Sequence, residues 1–186
     1  MISKEKRAEA FHSIVSPYFH ELNLPTIVEF CAGDGKAGAE FDKDEGIEKI
    51  IFVDIKQPNK LKKNIGMLHS YSISYLCGLE NFYVPSDSFI IALHSCGILT
   101  DKILEKAVLS KSPVAVMPCC YNQNMKKYHL QNPPDKRRLV YDSEKDYYDA
   151  FRLQYLRENN YIAVLKNIDK KITPMNNILI GIPKSA

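Results

Sequence analysis

The chain lacks several things, and each absence narrows what it can be. No apolar run approaches the ~18–20 residues of a membrane-crossing helix. The opening residues, Met-Ile-Ser-Lys-Glu-Lys-Arg-Ala-Glu, hold no apolar signal-peptide core. Both absences point to a cytoplasmic protein. Disulfide signals are missing too: Cys31, Cys77, Cys96, Cys119 and Cys120 are odd in number and sit in apolar segments, so reduced thiols are expected. The usual zinc spacing, Cys-x₂₋₄-Cys, does not occur. His94, Cys96, Cys119 and Cys120 are ligand types, but packing or substrate contact is expected there rather than a metal. Charge of one sign hardly dominates. Twenty-five Lys and Arg against 22 Asp and Glu leave +3, which permits an acidic partner such as RNA without demanding one. There is no repeat, low-complexity tract or dividing linker. The 186 residues are therefore expected to form one domain, with an N-terminal helix over 1–24 and a basic insert over 122–142.

Glycine is scarce, eight in all, yet three fall in one turn. An apolar run, Thr26-Ile27-Val28, reads as a buried strand and leads through Glu29, Phe30, Cys31 and Ala32 to Gly33, Gly35 and Gly38. Glycine permits positive φ and close approach of a ligand, and the helix expected beyond offers free N–H groups. A second apolar run, Ile50–Val53, ends in Asp54, 21 residues after Gly33, with Ile55 next. A glycine turn between strand and helix, followed by an acid about 20 residues on, marks a nucleoside-binding α/β domain. Dinucleotide sites place a pyrophosphate on the helix N-terminus, but here Glu29 precedes the turn and Asp34 lies inside it. Acids suit a cationic or amino-bearing ligand better. S-adenosylmethionine fits: Glu29 can receive its ammonium and Asp54 its ribose hydroxyls. A structural reading also exists, in which Glu29 caps the helix and Cys31 is packing.

The remaining chain alternates between helix and strand. Ser3–Leu22 has helical apolar spacing with Ser3 as cap, and Pro17 is expected to bend or end a turn. Strands are expected at 26–31, 49–54, 70–76, 89–94, 114–117, 161–167 and 177–182. Lys56–Asn64 reads as a helix or basic loop. One helix is expected to be capped by Thr100-Asp101, and another to open at Ser143 with Tyr147, Ala150, Phe151, Tyr155 and Leu156 as its stripe. This pattern predicts a mostly parallel sheet with helices on both faces, closed by an antiparallel hairpin at one edge.

Two further motifs follow strand ends: His94-Ser-Cys-Gly-Ile-Leu-Thr-Asp101 and Pro118-Cys-Cys-Tyr121. Ligands bind outside the carboxyl ends of parallel strands at the switch point, so these residues should converge on the glycine turn. Cys119 and Cys120 are adjacent in an extended chain, so at most one should face the cleft. Together with Ile172-Thr-Pro-Met-Asn176, these motifs resemble a branch of class I methyltransferases. That branch includes the tRNA 2′-O-methyltransferase Trm13 and the methyltransferase-like 25 group. The resemblance spans about 26–182 and implies the seven-stranded Rossmann-like fold and S-adenosyl-L-methionine as cofactor. The zinc-finger segments of the tRNA enzyme are absent. No acid ends the third strand to hold an adenine amine, leaving Ser70, Ser72, Ser74 or backbone groups, and no Asn-Pro-Pro-Tyr motif follows the fourth.

The reading is thus an S-adenosylmethionine-dependent methyltransferase acting on RNA, tRNA or rRNA before mRNA. Glu29, Cys31, Ala32, Gly33, Gly35, Gly38, Asp54, Ile55 and His94 are expected at the cofactor. His94, Cys96, Cys119 and Tyr121 are expected at the acceptor, with His94 orienting or deprotonating a hydroxyl if its pKa is near neutral. Lys126, Lys127, Arg137 and Arg138, interleaved with Tyr128 and His129, are candidates for RNA phosphates and bases. Lysines of the Lys56–Lys63 segment would add to that edge. Two alternatives stay open: a non-catalytic RNA- or partner-binding domain on the same fold, and an NAD-dependent oxidoreductase.

Overall fold

The computed structural model describes residues 3–121 and 143–184. The elements run α1 (Lys4–Leu22), β1 (Thr26–Phe30), α2 (Lys36–Phe41), β2 (Lys49–Asp54), α3 (Asn59–Ile65), β3 (Tyr71–Leu76), β4 (Ser88–Ser95), α4 (Ile98–Ser110), β5 (Val114–Pro118), α5 (Glu144–Glu158), β6 (Tyr161–Asn167) and β7 (Asn177–Pro183), with a short 3₁₀ turn at Leu79–Asn81. The seven strands form one sheet in the order β3-β2-β1-β4-β5-β7-β6. β1 to β5 pair in parallel, and β7 is antiparallel to both β5 and β6. This is the seven-stranded, Rossmann-like arrangement, with the antiparallel hairpin at one edge.

Strand periodicity sorts the core onto two faces. Val28, Phe30, Ile51, Val53, Ile90, Ala92, Val114 and Val116 pack with α4 and α5 through Ile103, Leu104, Phe151 and Leu156. Their alternates Ile27, Ile50, Phe52, Phe89, Ile91, Ala115 and Met117 pack with Phe11, Val15 and Phe19 of α1, Phe41 of α2 and Leu61 of α3. The central strands are apolar on both sides because helices cover both sides.

The expected span and cap of α1 hold, and the expected start of α4 is corrected. α1 runs through Pro17 to Leu22, with Ser3 accepting from Lys6 N–H as its cap. Pro17 lacks an N–H, yet the packing of Phe11, Val15 and Phe19 carries the helix past it. α4 begins at Ile98 behind Gly97, not at Thr100-Asp101. Thr100 turns inward to donate to the Ser95 carbonyl at 2.8 Å, and Asp101 is buried.

The strand order reverses between β1 and β4: β1 leads to β2 and β3 on one side, and β4 to β5 on the other. Their adjacent carboxyl ends form the crevice where such sheets take ligands.

Candidate functional site

The glycine turn is built from β1, α2 and the end of β2. Gly35 sits at φ 72°. A Cβ there would lie 2.6 Å from Leu61 Cδ1, so both the backbone and the core demand glycine. Asp54 holds the turn from β2: its Oδ2 accepts from Gly33 N–H at 2.9 Å and its Oδ1 from Lys56 N–H at 3.1 Å. A carboxylate has about four lone-pair sites, so acceptor capacity remains.

Glu29 points to the α1–α2 face and is 2% exposed. Its Oε2 accepts from Gly38 N–H at 2.8 Å, the contact expected of a helix cap. Burial pushes its pKa up to about 8 from 4.5, and the nearby charges of Asp34 and Asp54 add to the rise. The folded state holds the proton more tightly than the unfolded chain, so the stabilisation is complete below pH ~4.5 and is lost as pH rises through 8. Denaturant unfolding should therefore show stability of the unliganded protein falling between pH 5 and 8 by up to about 1.4 kcal/mol per pH unit. Glu29→Gln should remove that component; parallel wild-type and mutant curves would contradict the assignment.

Two clefts meet at Cys31 and His94. The first, about 270 Å³, is lined mainly by apolar groups: Phe30, Cys31, Val53, Cys77, Leu79 and Leu99, with Asp54, Ile55, His94 and Cys96. Ile55 is 70% exposed, an apolar side chain left open at the cavity wall. Ser70, Ser72 and Ser74 do not line it; they are engaged with the Ile47 carbonyl, the Ser70 carbonyl and Gln57 respectively. The second cleft, about 250 Å³, is polar, with Lys4, Arg7, Glu29, Ala32, Gly33, Asp34 and Lys36 around Cys31 and His94.

Lys4 and Arg7 were not foreseen in the sequence, where basic residues on an N-terminal helix read as a solvated face. The first turn of α1 carries both to the cleft. Lys4 pairs with Asp34 at 3.2 Å. Arg7 Nη1 lies 3.1 Å from His94 Nε2, while its buried Nε has no hydrogen-bond partner among the described residues.

His94 stands at a bulge in β4 with φ 65°, an uncommon conformation for a non-glycine residue. The irregularity aims its ring between the two clefts. Burial, with Arg7 and Lys4 close by, holds its pKa down at about 4, so it is neutral at physiological pH. Arg7 can only donate, so Nε2 accepts and Nδ1 carries the proton. The near-neutral pKa that general-base work would need is not present. Cys31 is no nucleophile either: burial pushes its thiol up to about 12.

Cys96, Cys119 and Cys120 come together where β4 and β5 end. Neither Cys119 nor Cys120 lines either cleft, in keeping with at most one facing it, but their side chains do not part to opposite sides. β5 stops at Pro118, so the two adjacent cysteines leave the strand and both sulfurs reach Cys96. Tyr121 turns its hydroxyl inward to donate to both oxygens of Asp149, at 2.7 and 2.9 Å. Arg152 lies beneath, 5.5 Å from the Tyr121 ring centre. Lys126, Lys127, Arg137 and Arg138, with Tyr128 and His129, lie outside the described residues.

A family of methyltransferase domains matches residues 3–127. Among curated proteins, the glutathione S-transferase C-terminal domain-containing protein of Xenopus laevis is 23% identical over 189 residues, covering 85% of this chain and 31% of its own. The chain thus spans about a third of the length of the curated relatives it matches. Among solved structures, the B. subtilis tRNA methyltransferase TrmK superposes with a TM-score of 0.61 at 13% identity, covering 100% of this chain and 68% of that one. A Burkholderia thailandensis 1,6-didemethyltoxoflavin-N1-methyltransferase, solved with S-adenosylhomocysteine, gives 0.59 at 12% identity, covering 95% and 79%. At such identities the likeness is one of fold.

Proposed function

The chain belongs to this family of methyltransferase domains, and from that premise we propose that it transfers a methyl group from S-adenosylmethionine to RNA. One observation carries the cofactor reading: an apolar cavity ending at Asp54 joins a polar cleft holding Glu29, Arg7 and Lys4. An adenosine suits the first and an amino-acid tail the second. Asp54 would take the ribose hydroxyls, with Ile55 and Leu79 against the base. Glu29 would face the ammonium, whose charge would draw the proton off its carboxyl, and Arg7 Nε, unpartnered among the described residues, would face the carboxylate with Lys4. When bound, the cofactor supplies a methyl group on a sulfonium that is already a leaving group. The chain's own task is then positioning. His94, with Nδ1–H free to donate, orients an acceptor group between the clefts, and Cys31 packs the floor.

The RNA reading rests on sequence. The motifs after β4 and β5 resemble the branch that holds a tRNA enzyme, and the 122–142 segment carries Lys126, Lys127, Arg137 and Arg138. The fold neighbours act on tRNA and on a small molecule, so an RNA acceptor rests on the segment's charge. If about four cations touch phosphate, single-strand RNA binding should show a log–log salt slope near −3, at roughly −0.7 per contact. Replacing the four by alanine should flatten it and leave cofactor affinity intact. Incubation with tritiated cofactor and fractionated cell extract should place label in RNA. Label in protein or small molecules, or binding indifferent to salt, would move the acceptor to another class. RNA binding without any label transfer would favour the non-catalytic alternative.

A further inference from the structure

The sulfurs of Cys96, Cys119 and Cys120 form a triangle with sides of 2.8 Å (Cys96–Cys119), 3.5 Å (Cys96–Cys120) and 3.6 Å (Cys119–Cys120). No sequence spacing announces this. Sheet pairing makes it: β4 and β5 are parallel neighbours in register at Ser95 and Pro118, so residues 23 and 24 apart become adjacent. The two strand-end loops are then braced. Gly97 N–H donates to the Cys120 carbonyl at 3.2 Å, from a backbone at φ 56°, ψ −125° that only glycine takes up readily. From behind, buried Arg152 donates to the Gly97 carbonyl at 3.2 Å. Three thiols are poor mutual partners, since S–H is a weak donor and sulfur a weak acceptor, so the trio does little for itself.

We propose that Cys96, Cys119 and Cys120 bind one thiophilic divalent cation of the zinc class, leaving its fourth position open beside the cleft. With a zinc–thiolate bond of about 2.3 Å, a point equidistant from all three sulfurs stands roughly 1.2 Å off their plane. Three ligands then lie on one side and the opposite side is free, the pattern of catalytic rather than structural zinc. Cys96 is exposed and lines the apolar cavity together with His94, so the ion borders the place where an acceptor would meet the methyl group. Each thiol gives its proton to solvent on binding, no electron is transferred, and the trithiolate centre carries one negative charge. Water or a donor atom of the acceptor completes it. The inference concerns the ion alone and stands whether or not the clefts take S-adenosylmethionine.

Cobalt(II) is the spectroscopic probe. The chain is reduced with a phosphine, stripped with a chelator and titrated with cobalt under nitrogen. Thiolate-to-cobalt absorption and tetrahedral d–d bands should saturate at one equivalent, and added zinc should abolish them. Cys96→Ser, Cys119→Ser and Cys120→Ser should each weaken binding by about 100-fold or more, since even outer partners of a ligand are worth 10–100-fold. Cys31→Ser and Cys77→Ser should not. Should a variant fail to fold, the wild type still decides: zinc should shield Cys96, Cys119 and Cys120 from alkylation while Cys31 and Cys77 react as before, read by peptide mass. Absent bands, unshielded thiols or a Cys96–Cys119 disulfide in the reduced protein would overturn the proposal. Calorimetry with S-adenosylhomocysteine on the same sample reads the cofactor proposal separately.

Discussion

Arg152→Ala should destabilise the protein by about 3–5 kcal/mol, the cost of stripping one partner from a buried ion cluster. The side chain is wholly buried. Its Nε donates to Asp101 at 2.7 Å and its Nη1 to Asp149 at 3.1 Å. Asp149 is also wholly buried and accepts from Tyr121 and from the Asn177 amide at 2.7 Å. Burial pushes the Asp101 carboxyl up, against the pull of Arg152. Removing the guanidinium would leave two acids in the interior without the cation that bridges them among the described residues. Against a typical total of about 5–15 kcal/mol, that is a large share. At about 2–4 °C per kcal/mol for this size, the melting point should drop by roughly 6–20 °C. Arg157→Ala, which loses only a contact to the Ala163 carbonyl, is the control. A drop no larger than the control's would show that the cluster is not what joins α5 to α4 and the β4 loop.

Asp54→Ala should cut S-adenosylhomocysteine affinity by about 10- to 150-fold, the equivalent of the 1.5–3 kcal/mol typical of hydrogen bonds to a charged group. Asp54 also holds Gly33 N–H, so part of any loss could come from a loosened turn. Asp54→Asn separates the two, since its amide oxygen can keep the Gly33 contact while the negative charge is gone. The Asn variant should recover the thermal stability of the unliganded protein and only part of the affinity. Unchanged affinity in the alanine variant would remove Asp54 from the site.

Much of this architecture was legible in the sequence because its signals are local. Phe89–Ala92 reads as a covered central strand, and Gly33, Gly35 and Gly38 announce a turn whose carboxylate partner, Asp54, stands where such turns place it. Tyr161–Asn167 and Asn177–Pro183, with no helical pattern between them, give the closing hairpin. What stayed hidden depends on pairing between distant segments. Asp149 and Arg152 look like the solvated face of an amphipathic helix; only packing against Asp101 and Tyr121 turns that face inward. Arg7 reads as a surface charge until α1 is laid across the end of β4. Cys119 and Cys120 read as pointing to opposite sides of a chain still extended beyond the strand. The ending of β5 at Pro118 makes them converge.

Calorimetry of the purified chain with S-adenosylhomocysteine decides the cofactor assignment on which the rest depends. One-to-one binding with a Kd on the order of micromolar is expected. Heat absent with both S-adenosylmethionine and S-adenosylhomocysteine, together with a response to NAD, would contradict it and return the glycine turn to a dinucleotide.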